Sequence, residues 1–284
     1  MSNSSILLNY HNGIPFDIEL DVNWIAQIPD YPISPGDLYI VTYAKSGTTW
    51  TQQIVALIQR GGEKNQSHLM QVIPWLEIIG KEAAFALSPP RTLKSHLPYD
   101  MMPGRDPANS IGKYIYIARN PKDVAVSFYY HTKRHSEYNF TGDWDCYFEL
   151  FIKGEVEFGL WFDHVLSWWR HKDAKNILFL KYEDLKKDLP GSVKTIAQFM
   201  GYSLDDATID KITRQSTFES MKDDPLATID SLPLKFPVVS SSTPFIRKGV
   251  IGDWKNHFTD EQSARFDAEY TKRMSGTGLV FDFE

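Results

Sequence analysis

Leu38-Tyr39-Ile40-Val41-Thr42-Tyr43-Ala44-Lys45-Ser46-Gly47-Thr48-Thr49-Trp50 joins a short apolar run to small hydroxylated residues gathered around one lysine and one glycine. The run from Leu38 to Tyr43 is short, largely apolar and β-branched at its centre (Ile40, Val41, Thr42), which predicts a strand buried on both faces. Gly47 frees the backbone for a tight turn, and Trp50 to Leu57 carry the spacing of an amphipathic helix. Strand, Lys-Ser-Gly-Thr-Thr turn and helix together aim backbone N–H groups and a helix N-terminus at one point. That arrangement binds anions, phosphate above all. It is not a Walker A loop, which needs Gly-Lys-Ser/Thr preceded by a further Gly. Here Lys45 precedes Gly47, and position 41 is Val.

At 284 residues and 42% hydrophobic, the chain can bury one large core, and no linker or charge run divides it. The expectation is a single domain over residues 1–284. The net charge of −6 argues against a nucleic-acid binder, so an anionic ligand has to be held by local cations. Cys146, the only cysteine, excludes an internal disulfide and fits a reducing cytoplasm. Neither a signal peptide nor a membrane span is visible. The aromatic content of 14%, with eight Trp, points to stacking surfaces or an aromatic pocket.

Residues 1–36 are polar and broken by Pro15, Pro29, Pro32 and Pro35, which predicts an irregular leader. Further strands are expected at Arg91–Ser95, Lys113–Ala118 and Asn176–Leu180. Helices are expected at Pro74–Gly80, after Pro121, and at Trp144–Ile152, Leu160–Trp169, Ser192–Met200, Asp205–Gln215 and Asp260–Met274. Strands alternating with helices imply an α/β fold with a mostly parallel, doubly wound sheet. Ligands of such sheets sit beyond the carboxyl ends of the strands, where Lys45, His96 and Arg119 all fall. Residues 223–253 show no convincing element, and so long a loop predicts a lid.

The residues 42–50 resemble the 5′-phosphosulfate-binding loop of the cytosolic sulfotransferases, Thr-Tyr-Pro-Lys-Ser-Gly-Thr-Thr-Trp, with Ala44 in place of Pro. Two further motifs of that family are matched throughout. Arg-Asn-x-Lys-Asp-x-x-x-Ser appears as Arg119 to Ser127, and Arg-Lys-Gly-x-x-Gly-Asp-Trp-Lys as Arg247 to Lys255. The resemblance implies that 3′-phosphoadenylyl sulfate (PAPS) is the donor and 3′-phosphoadenosine 5′-phosphate (PAP) the product, without a metal. Lys45, Ser46, Gly47, Thr48 and Thr49 would hold the 5′ end. Arg119, Ser127, Arg247, Lys248 and Gly249 would hold the 3′-phosphate. Trp50 would stack on adenine beside Tyr182 and Phe218, with Ser216 as a polar contact.

Lys94-Ser95-His96-Leu97-Pro98 is similar to the family's Lys-Thr-His-Leu-Pro. A histidine near its ordinary pKa suits the general base that deprotonates an acceptor hydroxyl. Lys45 would stabilise the leaving oxygen, and Lys94 would help hold the acceptor. A kinase-type site needs Gly-Lys-Ser/Thr and a strand-end Asp for Mg²⁺, whereas the strand at 113–118 runs into Arg119. An inactive nucleotide-binding relative would lack Lys45 or His96, and both are present.

The acceptor is a small molecule whose pocket is the least legible part. Trp75, Phe85, His131, Tyr147 and the lid residues 232–245 are candidate walls. Phe128 to His135 is more basic and less aromatic than the family's Tyr-His-Phe-Tyr-His segment, which implies a more polar pocket. Many relatives dimerise through Lys-x-x-x-Thr-Val-x-x-x-Glu near the C-terminus. Here Lys255 and Thr259 stand, but Asp260 and Ala264 replace the Val and the Glu. The expectation is a monomer, or a dimer through another surface.

Overall fold

The computed structural model describes residues 5–229 and 244–284. Strands β1 (Leu8–His11) and β2 (Ile14–Asp17) pair antiparallel as a hairpin. Strands β3 (Leu38–Thr42), β4 (Thr92–Ser95), β5 (Lys113–Ala118) and β6 (Ile177–Lys181) form a parallel sheet in the order β4-β3-β5-β6. The chain leaves β3 for β4 on one side and returns to β5 on the other. The carboxyl ends of β3 and β5 therefore flank a topological switch point, where an open α/β sheet forms its crevice.

The two faces of this sheet bury different chemistry. Leu38, Ile40, Ile115 and Ile117 pack against Ile54 and Ile58 of the helix Thr48–Gln59 and against Val193 and Ile196 of the helix Leu189–Met200. The other face is aromatic: Tyr39 stacks on Tyr114 with ring centroids 5.1 Å apart, and Tyr116 on Trp168 at 5.2 Å. Much of the aromatic content is thus core packing, worth more per side chain than its buried area alone.

The expected strands and most expected helices lie within a few residues of those observed, and Asp260–Met274 coincides with its helix. The leader does not. It carries the β1–β2 hairpin and a short helix, Val22–Ile25, and it buries Phe16, Leu20, Trp24, Ile28 and Tyr31. Its prolines sit where they are tolerated, Pro15 in a strand without a sheet beyond it and Pro29 in the first turn of a 3₁₀ helix. A buried ion pair ties the leader to the sheet. Arg91 reaches Asp37 at 2.5 Å, Tyr31 Oη at 2.5 Å and the Pro32 carbonyl at 2.6 Å. The helix expected at 74–80 runs instead over Leu76–Ala86, broken at Gly80 by a φ of +77°. Of the expected lid, residues 230–243 lie outside the described residues.

Candidate active site

Immediately after β3 the backbone takes two left-handed steps, at Lys45 (φ +69°) and Gly47 (φ +104°). A non-glycine residue rarely adopts that conformation, and consecutive turns of this kind gather N–H groups into an anion-binding nest. Gly47 caps the helix Thr48–Gln59 without a side-chain hydrogen bond, so the helix's first N–H groups keep their donors for a ligand. No other residue fits there: a Cβ on Gly47 would stand 2.9 Å from Cδ2 of Tyr182. Thr48 and Thr49 face the cavity, while Ser46 is buried beneath it with an Oγ that has no partner.

Arg119 follows β5 and crosses toward this cradle. Its guanidinium lies 4.4 Å from the centre of the Tyr182 ring, and it donates to the Val250 carbonyl at 2.8 Å, while Nε has no partner. Asn120 caps the next helix, Pro121–Arg134, by accepting from Asp123 N–H, with Pro121 in its first turn. That helix places Ser127 in the cavity wall. Asp123 also accepts from Gly252 N–H at 2.9 Å and Trp254 N–H at 3.1 Å, which fixes the segment after Arg247. Arg247 and Lys248 both donate to Asp253, at 2.5 Å and 2.6 Å. Burial pushes the Asp253 carboxyl up, but Lys248, Asn256 and Arg247 together hold it well below the usual carboxylate range. Gly249 is again obligatory, since its φ is +63° and a Cβ would meet Phe218 at 2.5 Å. Trp50, Tyr182 and Phe218 wall an aromatic slot, and Trp50 Nε1 donates to the Ser216 carbonyl at 2.7 Å. Ser216 is buried behind the slot, and its Oγ has no partner.

The cavity continues, about 620 Å³ in all, to Lys45, Lys94 and His96. His96 Nδ1 lies 2.9 Å from the Thr42 carbonyl oxygen and 3.1 Å from Thr42 Oγ1. A carbonyl only accepts, so the proton sits on Nδ1 and the Nε2 lone pair is left to the cavity. The main chain of His96 is clamped as well. Its N–H donates to Glu77 at 2.5 Å, and its carbonyl accepts from His164 Nε2 at 2.9 Å. Burial, and next the Lys94 charge, hold the imidazole well below its ordinary pKa, in the form that accepts a proton. Burial likewise lowers Lys45 to about 7, helped by Lys94, and lowers Lys94 to about 8. Lys94 Nζ lies 4.4 Å from the Trp75 ring centre, and Lys45 Nζ is 3.3 Å from His131 Nδ1. Two buried amines beside a neutral imidazole, with Glu157 near both and Glu77 near Lys94 partly offsetting the cost of their charge, form a place for anionic oxygens and a proton acceptor together.

Comparison with known proteins agrees with this geometry. A family model described as the sulfotransferase domain matches residues 35–278. The chain belongs to the sulfotransferase family. Sulfotransferase 1C2 of Oryctolagus cuniculus is 43% identical over 281 residues, covering 96% of this chain and 94% of its own. Mouse sulfotransferase SULT7A1, solved with PAP, superposes with a TM-score of 0.80 at 33% identity, covering 95% of this chain and 94% of its own. Retinol dehydratase, solved with retinol and PAP, gives 0.84 at 26% identity, covering 92% of this chain and 87% of its own. The protein is a PAPS-dependent sulfotransferase with a single α/β domain. Among the described residues, no helix is long and apolar enough to cross a membrane.

In this sulfotransferase the residues singled out in the sequence are nearly all brought to one cavity, with two exceptions among the acceptor candidates. Phe85 does not line it: beyond the break at Gly80 the ring is half exposed and packs 5.2 Å from Tyr31 and 6.3 Å from Trp24. Tyr147 is fully buried behind the wall, against Phe140 and Phe151. Trp75 and His131 do line the cavity, and of the lid residues 232–245 expected as walls, Phe245 lines it among those described. Sequence reading missed Phe158, whose φ of +65° is rare for an aromatic residue and whose ring lies 5.2 Å from that of His96. It also missed Asp17, Glu137 and Glu157, which line the cavity from the hairpin, the 3₁₀ helix Ser136–Tyr138 and the loop before Phe158. No local pattern marks them, because only the packing of the leader brings them in.

Proposed function

We propose that this sulfotransferase moves the sulfuryl group of PAPS to a hydroxyl, or an amine, of a small-molecule acceptor by in-line displacement. The residues present fit the donor. Ser46 Oγ, Arg119 Nε, Arg247 Nε and Ser216 Oγ are buried polar atoms without partners, and they surround the cradle and the aromatic slot. The loop 45–49 would hold the 5′ end. Arg119, Ser127, Arg247, Lys248 and Gly249 would hold the 3′-phosphate, and Trp50, Tyr182 and Phe218 the adenine, with Ser216 beside it.

His96 Nε2 takes the proton from the acceptor hydroxyl as its oxygen attacks sulfur. The bond from sulfur to the bridging oxygen of the donor breaks, and its electron pair leaves on that oxygen. Lys45 neutralises this charge, and Lys94 steadies the attacking and equatorial oxygens. Positioning and charge stabilisation carry such a displacement. The observation that carries the reading is the His96–Thr42 hydrogen bond, which turns the basic nitrogen toward the cavity holding Lys45 and Lys94.

The experiment is turnover of isotope-labelled PAPS with a panel of phenols, aliphatic alcohols, steroids and amines, each run with and without a chelator. Labelled product and PAP should form in equal amounts at the same rate in both arms. Absence of transfer to every acceptor, or transfer abolished by the chelator, would refute the proposal.

A further inference from the structure

The chain just past β4 carries His96 but lies beyond the sheet ladder, whose last pair there is Val41 with Ser95. The carbonyls of His96 and Leu97 are held by side chains instead. His164 Nε2 donates to the His96 carbonyl at 2.9 Å, and Trp168 Nε1 to the Leu97 carbonyl at 3.3 Å. Both donors stand on the helix Trp161–Trp169, four residues apart and so on one face. Helix and strand end are thus joined at two successive peptides by side chains that are 2% exposed or less.

The proton of His164 is placed by a second partner. A carbonyl only accepts, so Nε2 carries the proton and Nδ1 keeps a lone pair. Tyr116 Oη, in β5, lies 2.9 Å from that Nδ1 and donates to it. Burial holds the His164 imidazole down to about 4 and pushes the Tyr116 phenol well up, so both are neutral. Donation therefore runs one way, from Tyr116 through His164 to the His96 carbonyl. Of the three, only His96 lines the cavity. A buried imidazole that merely filled space would carry two polar nitrogens at a cost. Here one nitrogen holds the main chain of His96 and the other fixes which nitrogen does so.

His96 is then held at three points: its N–H by Glu77, its ring by Thr42 and its carbonyl by His164. Freeing the carbonyl lets the peptide between His96 and Leu97 turn, and the bond from Nδ1 to Thr42 loosens with it. We propose that His164 is a positioning residue for sulfuryl transfer, whose bond to the His96 carbonyl, directed by Tyr116, keeps His96 Nε2 aimed at the acceptor oxygen. This rests on His96 being the base of the proposed reaction.

The test uses three full-length variants. His164→Leu removes the donor at similar volume, His164→Gln returns an N–H near the Nε2 position, and Tyr116→Phe removes only the hydroxyl. Single-turnover rates with PAPS are measured for an aliphatic alcohol and for a phenol already ionised at the assay pH. PAP affinity is read by calorimetry, and the His96 ring by nitrogen NMR of histidine-labelled protein, its signals being those lost in His96→Ala. With the alcohol, His164→Leu should slow transfer by about 10- to 100-fold, the scale of a misplacement near 1 Å. It should leave PAP affinity unchanged and lose little with the ionised phenol, which needs no base. His164→Gln should recover most of the loss, and Tyr116→Phe should show the same selectivity with a smaller loss. The Nδ1–H form of His96 should give way in His164→Leu to a mixture of tautomers.

Equal losses with both acceptors, no loss, or unchanged His96 signals in His164→Leu would overturn the proposal. Where that variant does not fold, Tyr116→Phe is held to the same three criteria. His96→Ala separates this inference from the reading beneath it. Equal losses there refute the base, whereas selective losses there with none in His164→Leu refute the positioning alone.

Discussion

The Nδ1 of His96, at the end of β4, is bonded to the carbonyl oxygen of Thr42, at the end of the neighbouring strand β3. The sheet register therefore sets the tautomer of this imidazole. Two strands that pair in parallel bring the last carbonyl of one beside the first loop residue of the other. A slip of that register would turn the basic nitrogen away together with the chain.

His96→Ala should cost about 10²–10⁴-fold in rate with a hydroxyl acceptor, the usual range for a general base. An acceptor already ionised at the assay pH should lose much less. Because burial holds the imidazole well below its ordinary value of 6.5, the rate should not fall on the acid side where an ordinary histidine titrates. Equal losses with both acceptors would mean that His96 only positions.

Nucleotide binding should take up protons. In the free protein Lys45 titrates at about 7 and Lys94 at about 8, so both are partly neutral in mildly alkaline buffer. Bound phosphate favours their charged forms and raises both values. PAP affinity should therefore weaken as pH rises above about 7. Calorimetry in buffers of different ionisation enthalpy reads the uptake directly, and identical heats in mildly alkaline buffers would contradict it.

Arg247→Ala should weaken PAP binding by about one to two orders of magnitude, since a hydrogen bond to a charged group is worth roughly 1.5–3 kcal/mol. The same variant should lose little affinity for the nucleotide that lacks the 3′-phosphate. Should the unaltered protein bind both nucleotides equally, Arg247 and Lys248 serve Asp253 alone.

The protein should be a monomer, or a dimer that avoids the C-terminal surface used by many relatives. Thr259 is occupied in a capping box with Gln262, and Lys255 pairs with Glu284 of its own chain at 2.8 Å. An isologous patch would set two copies of Asp260 against each other, and a small interface cannot offset unpaired carboxylates. Light scattering at micromolar concentration is the check. A dimer abolished by Lys255→Ala or Thr259→Ala would contradict the expectation.

What was legible in the sequence was what is encoded locally. Lys45 to Trp50 act through their own backbone, and Asn120-Pro121 builds its cap within four residues, so each could be read in place. The acceptor end was not legible, because it is assembled by packing. Phe85 has the composition of a pocket wall, but the break at Gly80 sets it against Tyr31. Asp17 lies in a stretch whose prolines argue for irregular chain, yet the hairpin carries it to the cavity. Two carboxyls 140 residues apart (Glu157 less Asp17) leave no periodicity to detect.

Asp253 gives the cationic loop a second life after each reaction. When the nucleotide departs, Arg247 and Lys248 keep a permanent carboxylate between them and are not left bare. On the proposed reading their pull on a departing phosphate would be moderated, because the product would compete with an anion that never leaves. If these two side chains hold the 3′-phosphate as proposed, product escape, often the slowest event in a transferase cycle, would be eased by a residue that need not touch the ligand. The empty site also stays assembled, ready for the next donor.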